Sequence, residues 1–221
     1  MNIHQDGVEI KQHLLPDQLL QDVIAEISQS KDLIEKHGIR NAEKKFKSIF
    51  QVAHHKNLQQ EARKILGGEP QIVRVIFFDK NPDKNWLVSW HQDKTVALNQ
   101  KFNCEGWGPW TVKDNTHHVQ PPLGVLNKMI TFRIHLDPSD EENGCLLVMP
   151  GSHKRGILKH SEINEITGKD TALPCRVDYG DTFIMRPHIL HSSKKSLEPT
   201  HRRVIHIEYS SYKLPIDISW A

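Results

Sequence analysis

The first third of the chain carries apolar residues at helical spacing. Within residues 14–28 they recur every three or four positions, at Leu15, Leu19, Leu20, Val23, Ile24 and Ile27. That period is typical of one helix face, and Pro16 falls near the first turn, where its missing N–H costs least. We expect a second helix within residues 43–52 and a third over about 57–66, ended by Gly67 and Gly68. With a short strand at 6–11, residues 1–70 are predicted to be mostly a helical layer that covers a sheet.

From residue 71 the pattern changes to short runs rich in β-branched and aromatic residues. We predict strands at residues 71–79, 86–90, 129–136, 145–149, 175–177, 182–185 and 202–209. Turn signals such as Asn81-Pro82-Asp83 and Pro150-Gly151 separate them. Helices followed by many short strands, without a helix between each pair, favour an antiparallel sandwich or barrel with helices on one face. A doubly wound parallel sheet is disfavoured.

Residues 101–122 interrupt this regular patterning and are predicted to form a long loop. Loops of such length in compact domains are usually lids or binding loops, or else disordered. Trp107 and Trp110 argue against disorder, because large rings are retained where something buries them. A surface loop anchored to the core is the alternative. We favour a lid because the segment begins just after Asp93, a candidate ligand introduced below.

Composition excludes several classes of function. The chain has 221 residues, enough for one sizeable domain, and a formal net charge of +2 without a concentrated basic run, so nucleic-acid binding is not indicated. Neither a basic, apolar leader nor a run of about 18 apolar residues is present, so we expect no membrane segment. Three cysteines without a C-x-x-C spacing suit a reducing cytoplasm.

Histidine is the one residue type with an unusual distribution. The chain has 15, of which ten fall between His91 and His206. Within Trp90-His91-Gln92-Asp93 an imidazole and a carboxylate stand two positions apart, and on an extended backbone such residues point to the same side. One metal ion could therefore bind both. His-x-Asp is common by chance, so the rest of the chain has to supply the remaining evidence.

A third ligand is expected near the end of the predicted strand 182–185, where His188 and His191 compete. Two histidines and one carboxylate form the facial triad of non-haem Fe(II) oxygenases, which leaves coordination positions open for a cosubstrate and dioxygen. A zinc hydrolase usually needs only one open position. If the cosubstrate is 2-oxoglutarate, its distal carboxylate needs a cation, and Arg202 and Arg203 lie on the next predicted strand.

Several further runs complete a family pattern. They are Phe78-Asp79-Lys80, Asn85-Trp86, Arg133-Ile134-His135-Leu136-Asp137 and Asn143-Gly144-Cys145-Leu146-Leu147-Val148-Met149-Pro150-Gly151-Ser152-His153. Together with Trp90-His91-Gln92-Asp93, and with His191 followed by Arg202, they make residues 73–209 resemble the phytanoyl-CoA dioxygenase family. The resemblance implies a mainly β fold with flanking helices, a cupin-like double-stranded β-helix or jelly roll. We place its core at residues 71–212 of a single domain spanning 1–221.

The resemblance also implies the site. His91, Asp93 and His191 would hold Fe(II), because the family places its 2-oxoglutarate arginine eleven residues after the distal histidine, as Arg202 follows His191. Hydrophobic alternation on the last strand would by itself turn Arg203 inward, so Arg203 stays the alternative. Ser193 is similar in position to a family hydroxyl that contacts the cosubstrate. An ordinary turn serine is an equally good interpretation.

The implied reaction consumes 2-oxoglutarate and O2, releases succinate and CO2, and hydroxylates a small organic molecule. Halogenating relatives replace the carboxylate ligand by a small residue, and Asp93 therefore favours hydroxylation over chlorination. A jelly roll that only binds or regulates is a different class of function. A cupin-type metal isomerase is a third, although it would not require Arg202.

Candidate substrate contacts follow from strand alternation. Arg74 and Phe78 share one side of the strand before His91, and His206 follows Arg202 along the same face. Arg133 and, in the presumed lid, Trp107 complete the candidates. An arginine that bonds a neighbouring loop is an equally good interpretation of Arg74. Because no acyl-CoA site is recognisable, the family name does not indicate the substrate.

Overall fold

A computed structural model describes residues 1–30, 38–197 and 200–221. Its helices are α1 (Asp17–Ser28), α2 (Ala42–Lys45), α3 (Lys47–Ala53), α4 (Lys56–Leu66), α5 (Leu123–Leu126) and α6 (His160–Lys169). Pro16 is the N-cap of α1, and Gly67 ends α4 with a left-handed φ of 64°. The second predicted helix is divided between α2 and α3, because Phe46 has an extended backbone.

The strands are β1 (Val8–Lys11), β2 (Gly38–Arg40), β3 (Gln71–Lys80), β4 (Val88–His91), β5 (Val96–Leu98), β6 (Trp110–Lys113), β7 (Thr116–Val119), β8 (Met129–His135), β9 (Leu146–Val148), β10 (Leu173–Cys175), β11 (Thr182–Met185), β12 (His191–Ser193) and β13 (Arg202–Ser210). Each predicted strand has a counterpart here, although the run predicted at 175–177 lies at Leu173–Cys175. Strands β2, β5, β6, β7 and β12 and helices α5 and α6 were not predicted.

Two antiparallel sheets form the jelly roll. Across the described residues, one sheet has the order β1-β11-β8-β13-β3-β2 and the other the order β10-β9-β12-β4. Apolar residues of both sheets, among them Val148 and Phe183, pack against each other in one buried cluster. The predicted mainly β fold with flanking helices is confirmed. None of the helices in the described ranges is long and apolar enough to cross a bilayer.

The two faces of β13 have different environments. Ile205, Ile207 and Tyr209 join the core that the larger sheet shares with α1, α3 and α4. The alternate residues Arg202 and His206 line a cavity between the two sheets. Apolar residues on β13 therefore face the helical layer, and this explains why hydrophobic alternation alone would have turned Arg203 inward.

Residues 101–122 are not one long loop, and that prediction was wrong. Strands β6 and β7 form a hairpin that joins β5 in a third, three-stranded sheet. Its turn residues, Asp114 and Asn115, have φ of 48° and 58°, as a tight two-residue hairpin turn requires. The ring centroids of Trp107 and Trp110 lie 5.0 and 5.6 Å from that of Phe102, inside an apolar cluster that anchors the hairpin.

Candidate metal centre

Pairing of β4 with β12 brings two histidines together. His91, the last residue of β4, is the direct antiparallel partner of His191, the first residue of β12. The register shifts between His191 and Ser193, a β-bulge of the kind common beside active sites. Asp93 follows β4, and its backbone N–H donates to the Pro187 carbonyl at 2.9 Å. Three side chains from two chain segments thus meet at one end of the smaller sheet.

Hydrogen bonds orient both imidazoles. His91 Nδ1 lies 2.8 Å from the Ser89 carbonyl and His191 Nδ1 lies 2.9 Å from the Ile189 carbonyl, so each Nδ1 carries the hydrogen and donates it. Each Nε2 then keeps its lone pair. The Nε2 atoms lie 3.6 and 3.7 Å from the two carboxylate oxygens of Asp93. Hydrogen bonds from Nδ1 to a carbonyl oxygen, which leave Nε2 for the metal, are typical of metal-binding histidines.

The charge states suit a cation. Burial lowers the pKa of His191 to about 4, so its imidazole is neutral at physiological pH. Burial would raise the pKa of Asp93, but His191, His91 and His206 outweigh it and hold that pKa well below its usual range. Burial would lower the pKa of His91, but the hydrogen bond and the charge of Asp93 outweigh it and raise that pKa. Two imidazole nitrogens and one carboxylate oxygen point at a common position, where a divalent metal could bind.

Gln92 holds this segment in place and was missed from the sequence. It lies between the two candidate ligands and points the other way, with 5% of its surface exposed. Its amide nitrogen donates to the carbonyls of Gly156 and His188 at 2.8 and 2.7 Å, and its oxygen accepts from Leu158 N–H at 2.8 Å. No sequence signal separates such a glutamine from an exposed one.

His188 lies outside the cluster. Its ring is buried and faces His153, with ring centroids 6.1 Å apart. Within the described residues, the cluster that could hold a metal contains His91, Asp93 and His191 without it. Of the two competing histidines, the structure therefore brings His191 to Asp93.

A second group, Asp93, His206 and Glu208, also has potential ligand atoms close together. Both ring nitrogens of His206 already form hydrogen bonds within the protein. Arg133 Nη1 donates to His206 Nδ1 at 3.0 Å, so His206 Nε2 carries the hydrogen and donates to Glu208 Oε1 at 3.2 Å. Arg74 Nη2 donates to the same carboxylate oxygen. We interpret this group as a hydrogen-bond network rather than as a metal site.

The candidate ligands open into a cavity of about 270 Å³ between the two sheets. It is lined by Arg40, Arg74, Ile76, Phe78, Trp86, Val88, His91, Asp93, Thr95, Lys113, His118, Arg133, Leu146, His191, Ser193, Arg202 and His206. Of the predicted substrate contacts, Arg74, Phe78, Arg133 and His206 line it. Trp107 does not, and that prediction was wrong, because its ring packs against Phe102 and Tyr212 in the cluster that anchors the hairpin.

The cavity contains guanidinium groups without acidic partners. Arg202 is 5% exposed, and its Nε and Nη1 have no hydrogen-bond partner among the described residues. Burial lowers the pKa of Arg202 to about 10, and burial together with Arg202 lowers that of Arg133 to about 9. Buried cations are normally paired. These two therefore indicate an anionic ligand.

Lys80 adds a third buried cation. Its ammonium donates to Ser193 Oγ at 3.0 Å and to the Lys194 carbonyl at 2.6 Å, and it lies 5.3 Å from the Trp86 ring centroid. Burial and the charges of Arg202 and Arg133 lower its pKa to about 7. The Ser193 hydroxyl donates to the Gly144 carbonyl at 2.8 Å, so its hydrogen is already used within the protein.

Arg203 faces away from the cavity. It donates through Nε and Nη2 to the two carboxylate oxygens of Asp137, at 2.8 and 2.7 Å. Such a bidentate pair is a structural contact between β13 and the segment after β8. Of the two competing arginines, the structure places Arg202 in the cavity with the candidate ligands.

Two histidines and an aspartate inside a jelly roll are the donor set of non-haem Fe(II) oxygenases. The family model of phytanoyl-CoA dioxygenase (PhyH) matches residues 4–204, so the chain belongs to this family. It is 24% identical to phytanoyl-CoA dioxygenase 1 of Oryza sativa subsp. japonica over 146 residues, which are 62% of this chain and 43% of the relative.

The chain is also similar to a second curated relative and to a solved structure. The chain is 27% identical to a methylphosphonate hydroxylase of Gimesia maris over 100 residues, 43% of this chain and 38% of the relative. It thus spans about two fifths of the length of both curated relatives. The structure of HygX from Streptomyces hygroscopicus with nickel and 2-oxoglutarate bound is similar in fold, with a TM-score of 0.67 and 12% identity, covering 94% of this chain and 83% of HygX.

Proposed function

We propose that the protein is a non-haem Fe(II)- and 2-oxoglutarate-dependent dioxygenase that hydroxylates a small organic molecule and releases succinate and CO2. One observation carries the proposal. His91, Asp93 and His191 converge in the same cavity as the unpaired guanidinium of Arg202. Family membership and the HygX complex agree with this assignment.

The donor set fits iron. His91 and His191 would bind Fe(II) through Nε2, because both Nδ1 atoms donate to backbone carbonyls, and Asp93 would supply the carboxylate oxygen. The three ligand atoms lie together beside the cavity, so the coordination positions of a bound ion that face the cavity would stay open to other ligands. Gln92 would keep Asp93 in register with His91.

The cations fit a dicarboxylate. Arg202 would hold the distal carboxylate of 2-oxoglutarate, since two of its buried nitrogens have no partner in the described part of the chain. Arg133 and Lys80 would add positive charge nearby. A carboxylate bound there would offset the cost of burying three cations that have no acidic partner among the described residues.

Bound iron, 2-oxoglutarate and dioxygen supply the oxidising power. The chain's own residues would bind and orient the reactants and keep water out. Residues 101–122 are proposed to cover the substrate, because Lys113 and His118 from the hairpin line the cavity while the cluster around Phe102 anchors its base.

Hydroxylation is the reaction we favour among those this site could support. Asp93 occupies the position that halogenating relatives leave to a small residue, and its carboxylate lies within reach of both imidazoles. A purely regulatory jelly roll has no need for unpaired buried arginines, and a cupin-type isomerase has no need for Arg202. Both are therefore the weaker proposals.

The test is spectroscopic. The full chain is purified anaerobically and mixed with Fe(II) and 2-oxoglutarate, and a weak visible metal-to-ligand absorption band is expected. The band should require Asp93 and His191 and should form only at higher 2-oxoglutarate concentration in Arg202→Gln. Bound iron without any band in the wild-type protein would overturn the proposal.

A further inference from the structure

The cavity has two polar ends that lie far apart. On the paired strands β3 and β13, Arg202 lies opposite Lys80, and Glu208 lies opposite Arg74. Glu208 lies six positions after Arg202 along β13, roughly 20 Å of extended chain. A 2-oxoglutarate molecule held by Arg202 therefore leaves the Arg74 end free for a different ligand.

Two buried side-chain nitrogens at the Arg74 end have no hydrogen-bond partner among the described residues. His118 is 3% exposed and its Nε2 bonds nothing among the described residues, and the same holds for Arg74 Nε. Both side chains line the cavity. The remaining contacts of Arg74, with Glu208 and with the Thr95 carbonyl, use Nη2. Orphaned buried donors are costly unless a ligand accepts from them.

Positive charge surrounds these donors. Lys113 and Arg40 also line this end; Arg40 is paired with Asp114 at 3.0 Å, whereas Lys113 forms no ion pair within the described ranges. Burial, followed by the charges of Arg74, Lys113 and Arg40, lowers the pKa of His118 to about 4. The imidazole is therefore neutral, and three cations lie close enough to affect it. Glu208, the buried acid here, already accepts from Arg74 and His206.

Resting on the proposed function, we infer that the substrate is a compact organic acid whose carboxylate or phosphonate oxygens bind between Arg74 and His118. Arg74 Nε and His118 Nε2 donate to the oxyanion, and Lys113 at the exposed rim attracts it. Because Arg74 also lies near Asp93, an oxyanion bound there holds a neighbouring carbon close to the candidate metal ligands. The neutral ester or amide of the same acid binds poorly.

The experiment uses the full chain under anaerobic conditions with Fe(II) and saturating 2-oxoglutarate, so that the Arg202 end is occupied. Methylphosphonate and propionate are titrated against their neutral counterparts, dimethyl methylphosphonate and propionamide. Isothermal titration and the change in the visible band report binding. We expect the anions to bind and the neutral compounds to bind at least about tenfold more weakly, and the ratio of the two anion affinities separates phosphonate from carboxylate recognition.

Variants locate the site. His118→Leu, which removes both ring nitrogens but keeps an apolar side chain at the buried position, and Arg74→Gln should each weaken anion binding about 10- to 100-fold. Arg63→Gln, outside the cavity in an exposed pair with Glu69, should leave it unchanged. Equal binding of the neutral compounds, or anion affinity unaffected by His118→Leu, overturns the inference. If Arg74→Gln fails to fold, His118→Leu and Lys113→Gln still decide it.

Different outcomes refute the oxyanion site and the oxygenase assignment. If the visible band forms but no anion binds, the oxygenase assignment stands and the inference is wrong. If the band never forms, methylphosphonate binding is measured by ³¹P NMR on metal-free Arg202→Gln. Binding that persists there and disappears on addition of His118→Leu supports an oxyanion site without the oxygenase, and absence of binding overturns the inference.

Discussion

His91 and His191 are direct partners across antiparallel strands, and their ring centroids lie 4.2 Å apart. Their separation is fixed by the backbone pairing of β4 with β12 rather than by side-chain contacts alone. A register slip of one residue would turn one ring to the opposite face. The candidate metal centre is thus a consequence of sheet register.

This relationship predicts which histidine is essential. His191→Ala should lower Fe(II) affinity by more than the roughly 10- to 100-fold typical for loss of an outer-shell partner, because a direct ligand atom is removed. His188→Gln is the matched control, since its ring packs against His153 instead. Anaerobic Fe(II) titration measures both. Equal losses in the two variants would refute the assignment of His191.

Substitution of Arg202 should affect cosubstrate binding, whereas substitution of the neighbouring Arg203 should affect stability. Arg202→Gln is expected to weaken 2-oxoglutarate binding roughly 10- to 100-fold, because a charge-assisted bond to a carboxylate is lost. Arg203→Gln should leave affinity unchanged and lower the unfolding free energy by about 1 kcal/mol, because a partly buried ion pair with Asp137 is lost. Calorimetric titration and urea denaturation distinguish them. If Arg203→Gln weakened 2-oxoglutarate binding and Arg202→Gln did not, Arg203 would be the cosubstrate ligand.

Sequence pattern located the elements whose periodicity is long and regular. Helix α4 and the long strands β3, β8 and β13 were predicted nearly to their ends, because helical spacing and alternation are local properties. The grouping of His91 with Asp93 follows from i, i+2 geometry, which is also local, whereas Arg202 follows only from the family resemblance, since alternation favours Arg203.

What could not be predicted depends on pairing between distant segments. The network from Arg133 through His206 and Glu208 to Arg74 uses residues of three strands, and nothing in one strand specifies its partner. The hairpin β6–β7 was missed because Asp114-Asn115 was not recognised as a turn. Trp107 was assigned to the substrate because a buried tryptophan looks the same in an anchor as in a binding site.

Lys80 should make 2-oxoglutarate binding depend on pH. Its pKa of about 7 in the free protein results from burial beside Arg202 and Arg133, and a bound dianion would raise it. Affinity should therefore be highest below about pH 7 and fall, by at most tenfold per pH unit, as the pH rises towards the bound-state pKa.

Calorimetry in buffers of different ionisation enthalpy tests the Lys80 prediction. At pH 8 it should detect proton uptake with 2-oxoglutarate, and Lys80→Met should abolish the uptake. Lys128→Met, which alters a lysine beside Tyr212 outside the cavity lining, is the control. Persistent uptake in Lys80→Met would contradict the prediction.

Removing only one partner of the buried Arg74–Glu208 ion pair should strongly destabilise the fold. Burial would raise the pKa of Glu208, but Arg74 and His206 outweigh it and lower that pKa. The stabilisation is therefore present at neutral pH and lost as the pH falls through the lowered value. Glu208→Gln should cost about 3–5 kcal/mol at pH 7, because an uncompensated guanidinium remains buried.

The double variant Arg74→Met/Glu208→Met should recover most of that loss, because no unpaired charge is left. Urea denaturation of Arg74→Met, Glu208→Met and the double variant, at pH 7 and at lower pH, measures the coupling. Strictly additive losses would show that the two side chains do not act as a pair.

Replacing Gly144 should both destabilise the fold and disturb the cavity. It has a left-handed φ of 74°, and an added Cβ would lie 2.5 Å from the Lys194 carbonyl oxygen, a backbone atom just after β12. Its own carbonyl accepts the Ser193 hydroxyl at 2.8 Å. Gly144→Ala should therefore destabilise the fold by about 1–3 kcal/mol and weaken 2-oxoglutarate binding, because the end of β12 has to move.

Gly168→Ala is the matched control, since no atom lies within 4 Å of its added Cβ and alanine in α6 should stabilise by about 0.5–1 kcal/mol. Thermal denaturation and 2-oxoglutarate titration of both variants test this, and equal effects would refute the steric argument.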